Sequence, residues 1–496
     1  MSTNHTFAIQ RIKKEYLKQQ MEYSIKYIVL YHAIKQCILK VELPHGWQLP
    51  STRYLAQVLN LSRTTVLKAY ELLALEKLII SKVGSGNSVN YQPETQTNVI
   101  KRGDISPQRY PALSDKGLSY LKNISLINRL PDQDLAFRPG LPPLDVFPVN
   151  QWKKLLNSYW RHIKSSNLSY SQSTGLTEFK KSISNYLNVS RNVKCDPQQI
   201  VITSGSLQSE YLIANTLVNK GDLVVVENPL FPNVHSVFKS SEAQLVPIAI
   251  DEQGININEL KSKNLKDLKV IHVTPSNHYP LGVKMTLERR QELLQYSSEM
   301  GCLIIEDDYE NEIANYQEAT PTIFSLDKED RTIYMGTFNR LLHPSIRLGY
   351  MIVPQFLMPA VEALQEHSHR FVSPSSQTVM NQFIEKNYLY QHIKTCIEVA
   401  KERHDLFKTL FKSEIKSMYI QEKPFSSFHL IAFFKEPKST KEELEIIKKL
   451  KQNHITVLRL SKCYIDENQQ TGLIFGYASV RPTAIRKKIK SLSKLV

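Results

Sequence analysis

Five apolar, β-branched runs, QIVIT, LVVVENP, KVIHVTP, CLIIEDD and TIYMGTF, recur between residues 199 and 338 with stretches of helical length between them. No other feature restricts the fold so much. A half-buried antiparallel strand would alternate apolar and polar residues, whereas these runs are apolar on both faces, as strands covered on both sides must be. Strands alternating with helices give an α/β unit with a mostly parallel sheet. In such sheets ligands sit outside the carboxyl ends of the strands, so the residues just after each run are the ones to inspect.

Four of those strand ends carry chemistry. TSGSLQSEYLIA passes from a strand through a Gly-Ser turn into a helix, where the unpaired amides of Gly205, Ser206 and Leu207 suit an anion. VENPLFPN ends on Phe231, an aromatic able to lie flat on a planar ring. IIEDDYENE offers Asp307 to a protonated ring nitrogen and Tyr309 to a phenolic oxygen. GTFNRLLHPSIRLGY offers the hydroxyl of Thr337 and the fork of Arg347 to a phosphate.

A different pattern occupies residues 22–92. YIVLYHAIKQCILK has Ile28, Tyr31, Ile34 and Ile38 at helical spacing. LPSTRYLAQVLNL predicts a short helix capped by Ser51 with Leu55, Val58 and Leu59 on one face. LSRTTVLKAYELLALEKL predicts a third, capped by Ser62, burying Val66, Ala69 and Leu73 and leaving Arg63, Thr64, Thr65 and Lys68 outside. An exposed, polar helix start is what a recognition helix brings to a major groove. The tight turn Gly84-Ser85-Gly86 between β-rich flanks follows as a wing. A net charge of +16 and a pI near 9.3 suit a polyanionic partner, double-stranded DNA.

Between the two patterns, residues 93–131 lose apolar periodicity and read as a linker, leaving 132–496 for the α/β unit with a small C-terminal subdomain. Hydrophobic residues at 42% and charged residues at 22% are those of a globular protein, with no apolar run of membrane-spanning length. The polar N-terminus lacks the apolar core of a secretory signal, so a cytoplasmic location is expected. Five scattered cysteines without a C-x-x-C pair predict reduced core residues and no metal site.

The pattern of residues 22–92 resembles the winged helix-turn-helix of GntR-type regulators. That resemblance implies DNA contacts from Ser51, Arg53, Ser62, Arg63, Thr64 and Thr65, with Gly84 and Gly86 in the wing. From about Phe137 onward the chain resembles fold-type I aminotransferases, and the pairing of the two resembles the MocR/GabR type of transcription regulator. The resemblance implies pyridoxal phosphate stacked on Phe231, paired by Asp307, hydrogen-bonded by Tyr309, and held at its phosphate by Ser206, Leu207, Thr337 and Arg347. The segment YSQSTGL is similar to one that sends a tyrosine into a neighbouring subunit's phosphate site, which implicates Tyr170 and a homodimer.

One position departs from the resemblance. Its members read Gly-Thr-Phe-Ser-Lys, and this chain reads Gly336-Thr337-Phe338-Asn339-Arg340. The lysine that bonds the cofactor is replaced. A guanidinium with a pKa above about 12 stays protonated and forms no imine, so Arg340 takes over neither the bond nor the proton transfers. The segment IFGYASVRP likewise lacks a carboxylate-binding arginine at the expected place, and Leu281 stands before Gly282 where threonine is common. The expectation is a regulator whose aminotransferase-like unit serves dimerisation and noncovalent sensing of an anionic or amino-acid-like ligand. The alternatives are an active pyridoxal-phosphate aminotransferase, a regulator that keeps the cofactor, and a scaffold that binds a protein partner.

Overall fold

The computed structural model describes residues 3–82, 86–92, 111–127, 136–314, 319–465 and 470–496, and the chain divides into two compact units, residues 1–112 and 113–496. Among the described residues no helix is long and apolar enough to cross a membrane.

The first unit is built on α1 (Thr3–Gln19), α2 (Lys26–Leu39), α3 (Thr52–Leu59) and α4 (Arg63–Leu75), closed by the antiparallel pair β1 (Ile79–Lys82) and β2 (Gly86–Val89). Ser51 Oγ accepts from the Tyr54 amide at 3.2 Å and Ser62 Oγ from the Thr65 amide at 3.0 Å, so both helices start where the capping signals place them. Asn60 ends α3 in the left-handed conformation. Helix α1 lies ahead of residue 22, where the sequence pattern begins. It buries Ala8, Ile9, Ile12 and Tyr16 in one core with Leu30, Ile34, Leu55, Val66 and Leu73. Its i, i+4 apolar spacing is diluted by lysines and glutamines, which hid it.

The second unit carries β3 (Ile200–Thr203), β4 (Leu223–Asn228), β5 (Gln244–Asp251), β6 (Gly254–Ile255), β7 (Leu268–Val273), β8 (Leu303–Asp307), β9 (Thr332–Thr337) and β10 (Gly349–Ile352). They form one sheet in the order β3-β10-β9-β8-β7-β4-β5-β6, in which β9-β8-β7-β4-β5 is parallel throughout and β10 and β6 run antiparallel to their neighbours. Alternate residues feed two layers. Ile200, Ile202, Tyr334, Tyr350 and Ile352 pack with Phe179, Ile183 and Phe383 on one face. Val201, Ile305, Ile333 and Met351 pack with Leu212, Phe238 and Val361 on the other.

A four-stranded antiparallel sheet, β11 (Met418–Ile420), β12 (His429–Phe434), β13 (Leu458–Arg459) and β14 (Gly472–Gly476), follows in the order β11-β12-β14-β13. Its core includes Phe407, Phe411 and Phe475. Within the stretch read as linker, helix Asp115–Asn123 docks on the sheet unit, with the Asn123 carbonyl accepting from Ser236 Oγ at 3.1 Å and Lys116 Nζ donating to Asn215 at 2.6 Å. Residues 93–110 and 128–131 lie outside the described residues.

Candidate functional site

The carboxyl ends of β3, β4, β7, β8 and β9 converge, and each contributes to one small chamber lined by Ser206, Phe231, Thr274, Tyr279, Asp307, Tyr309, Thr337 and Arg340. Ser206 opens the helix Ser206–Leu217, whose N-cap is Gly205 at φ +125°, with no side-chain cap. A Cβ on Gly205 would overlap Asn339 Nδ2, so only glycine lets this turn close over the loop after β9. The amides of Ser206 and Leu207 have no acceptor among the described residues, as the first amides of an uncapped helix should not. Arg347 lies beside that turn, donating to Ser204 Oγ at 3.2 Å from a left-handed backbone at φ +52°.

Three aromatic rings make a corner. Tyr279 stands edge-on to Phe231 with ring centroids 4.9 Å apart, and to Tyr309 at 6.2 Å. The guanidinium of Arg340 fits between the outer two, 5.7 Å from the centroid of Phe231 and 5.7 Å from that of Tyr309. Its Nη1 is 3.7 Å from Glu310 Oε1 and has no hydrogen-bond partner, although it is buried. With Arg340 there, the chamber keeps about 20 Å³ of free volume, room for a water molecule and little else.

Other polar atoms in the chamber are equally unsatisfied. Asp307 Oδ1 and the Tyr309 hydroxyl, and Glu310 Oε1 beside Arg340, are buried without hydrogen-bond partners. Burial pushes the Asp307 carboxyl up to about 7, against the pull of His272. Burial, with Glu310 adding to it, raises the Tyr309 phenol well above its ordinary value, so it is a donor. Beneath them His272 Nε2 lies 2.9 Å from Glu210 Oε1, and burial alone would discharge the ring. The Glu210 carboxylate overrides burial and lifts His272 to about 9. Glu227, itself raised to about 7 by burial, takes both the amide and the hydroxyl of Thr274, at 2.9 and 2.6 Å. A buried donor or acceptor left unpaired costs about 1–3 kcal/mol, so these atoms are open to a further polar partner.

The residues named from sequence divide accordingly. Ser206, Phe231, Asp307, Tyr309 and Thr337 line the chamber, with Gly205, Leu207 and Arg347 at its rim. The Thr337 hydroxyl accepts from the Asn339 amide at 3.2 Å, so it also shapes the turn. Tyr170 lies apart, 78% exposed, with the Arg370 guanidinium 4.8 Å over its ring. Arg481, the arginine of IFGYASVRP, is exposed and pairs with Asp145 at 3.3 Å. Tyr279, Thr274 and Glu310 were missed, although two follow β7 and the third follows Tyr309. Glu210 and His272 gave no signal, because a helix residue and a strand residue meet here only through the fold. Glu210, His272 and Asp307 bring three ligand atoms within 4.8 Å, a set that sequence spacing did not reveal.

In the first unit Arg53, Arg63, Thr64 and Lys68 are exposed, and Thr65 is half-buried. The hydroxyls of Ser62 and Thr65 bond each other at 2.7 Å and belong to the cap. Gly86 starts β2 opposite Lys82; Gly84 lies outside the described residues.

Residues 26–89 match the bacterial regulatory proteins of the gntR family, and residues 140–486 match aminotransferase class I and II. The probable rhizopine catabolism regulatory protein MocR of Rhizobium meliloti is 30% identical over 464 residues, covering 93% of this chain and 92% of its own. The chain belongs to the MocR-type regulators. Another relative is the HTH-type pyridoxine biosynthesis transcriptional regulator PdxR of Corynebacterium glutamicum, 22% identical over 93% of this chain and 94% of its own. Kynurenine aminotransferase of Pyrococcus horikoshii shares the fold at a TM-score of 0.67, with 23% identity over 80% of this chain and 98% of that one. In this MocR-type chain, DNA-binding regulation rests on the gntR unit, and the chamber lies in the aminotransferase unit.

Proposed function

We propose that this regulator holds pyridoxal phosphate, or a phosphorylated hydroxypyridine like it, by noncovalent contacts alone, and that occupancy biases how the gntR unit binds DNA. The observation that carries the reading is the buried, unpartnered set of Asp307 Oδ1, the Tyr309 hydroxyl and Arg340 Nη1 around Phe231. The residues fit such a group. Ser206, Leu207 and Arg347 would take its phosphate, Phe231 its ring face, Asp307 its ring nitrogen and Tyr309 its phenolic oxygen.

When bound, pyridoxal phosphate supplies an aldehyde that a lysine amine can bond; Arg340, at the position where the resemblance puts that lysine, offers no neutral amine. The chain's own residues therefore bind and orient and do not react. Because about 20 Å³ admits no ring, Arg340 has to leave the space between Phe231 and Tyr309 when a ligand enters. That gives two arrangements of one side chain, and a ligand that favours one shifts the equilibrium between them. The aminotransferase-like unit forms the dimer in this reading, with exposed Tyr170 reaching the second copy and two gntR units presented to a DNA duplex in the cytoplasm.

Calorimetry with pyridoxal phosphate, followed by borohydride and peptide mapping, tests it. The wild type should bind reversibly and trap nothing, and Arg340→Lys should trap one adduct at residue 340. A trapped adduct on another lysine of the wild type, or no binding by either protein, would refute noncovalent sensing.

A further inference from the structure

We infer that Glu210 and His272 are positioning residues for the chamber: the imidazolium held by Glu210 stands behind Asp307 and presents its carboxylate to a protonated ring nitrogen. The inference rests on the proposed binding of a hydroxypyridine and names the device that would make the pocket read the ring nitrogen.

The fold brings the three together for local reasons. His272 on β7 pairs with Ile305 on β8, so Asp307, two residues further along β8, lies diagonally on the same face. Helix Ser206–Leu217 crosses that face and lowers Glu210 onto the imidazole, 2.9 Å from Nε2. Phe238 closes the far side, its ring centroid 6.5 Å from that of His272. All three polar residues are at most 7% exposed.

Charge then dictates the arrangement. Two carboxylates sealed from water within 4.8 Å of one imidazole nitrogen cannot both stay ionised beside a neutral ring without a large desolvation cost. One proton on His272 offsets both. Glu210 Oε2 is buried without a partner, while the side chain of Asp307, the only one of the three that lines the chamber, has no hydrogen bond among the described residues. Asp307 is thus steadied from behind by a fixed cation and left without a partner in front. A neighbouring opposite charge moves a carboxylate's pKa by about 1–3 units, each unit a factor of ten in binding a cationic ring over an uncharged one. Remove the imidazolium and Asp307 takes up a proton, losing its preference for a pyridinium.

The test compares pyridoxamine 5'-phosphate with its carbocyclic analogue, which has a C–H in place of the ring nitrogen, by titration calorimetry on the full chain. Wild type should prefer the nitrogen ligand by at least tenfold. His272→Phe and Glu210→Gln should each bring that preference to within about twofold of unity while the analogue's affinity holds. Glu210→Gln is nearly isosteric and serves if His272→Phe does not fold. A preference that persists in Glu210→Gln would overturn the relay, as would stoichiometric zinc in the wild type that is lost with either substitution, since the cluster would then be a metal site. Binding of neither ligand by the wild type would instead overturn the hydroxypyridine reading and the relay with it.

Discussion

The guanidinium of Arg340 packs against the α-carbon of Gly140 so closely that a methyl group at residue 140 would overlap Nη1. Gly140 also sits at φ +83°, a conformation side chains resist. The two penalties separate in a double-mutant cycle. Gly140→Ala should destabilise the chain by roughly 2–4 kcal/mol, and by only about 1–2 kcal/mol when Arg340 is already alanine, because the backbone term alone remains. Equal costs in both backgrounds, measured by urea unfolding, would show that the Arg340 guanidinium moves away from residue 140 at little cost.

The head offers a contrast between a cap and a contact. Ser62→Ala should lower the stability of the gntR unit by about 1 kcal/mol, since it removes the acceptor for the Thr65 amide. Arg63→Ala should leave stability unchanged and weaken specific DNA binding by about 1–3 kcal/mol if the exposed side chain reads a base edge. Melting curves and gel shifts at fixed salt, run on both variants, check the split.

Below the chamber, Arg191 Nε meets Asp308 Oδ2 at 2.9 Å, while Ser276 and Tyr334 also engage this pair, at 2.9 Å to Arg191 Nη2 and 2.6 Å to Asp308 Oδ2. Their side chains are 2% and 0% exposed. Arg191→Met would strand a carboxylate in the interior and should cost about 3–5 kcal/mol, visible as a lower unfolding midpoint of the sheet unit. A loss below about 1 kcal/mol would mean that water reaches the pair.

Burial, and to a lesser degree Lys239, lowers the His235 imidazole to about 4, and its buried Nδ1 has no partner. A group depressed on folding adds stability above its unfolded pKa of about 6.5 that is lost as pH falls toward the folded value. Wild type should therefore lose about 2 kcal/mol more than His235→Leu between pH 7 and pH 5. Parallel stability profiles for the two proteins would show that His235 titrates normally.

Much of this was legible in the sequence because strong local signals agreed with the fold. The strand runs were apolar on both faces, and Ser51 and Ser62 stood where caps are required, so the elements and the chamber's front wall could be placed residue by residue. Helix α1 and the docked helix Asp115–Asn123 were obscured because polar residues outnumber the few that pack. Glu210 and His272 were invisible for another reason. Their meaning lies in pairing across strands and helices far apart in the chain, and no spacing encodes that.

Residue 340 belongs to the turn beyond β9, whose shape is fixed by neighbours: Phe338, Leu341 and Leu342 are buried, and Asn339 Oδ1 accepts the Leu348 amide at 3.0 Å. None of these contacts depends on which long cationic side chain stands at 340. Lysine and arginine codons can differ by a single base, so one transition can separate Arg340 from the lysine that the resemblance describes. The turn that carries residue 340 is thus held independently of that choice.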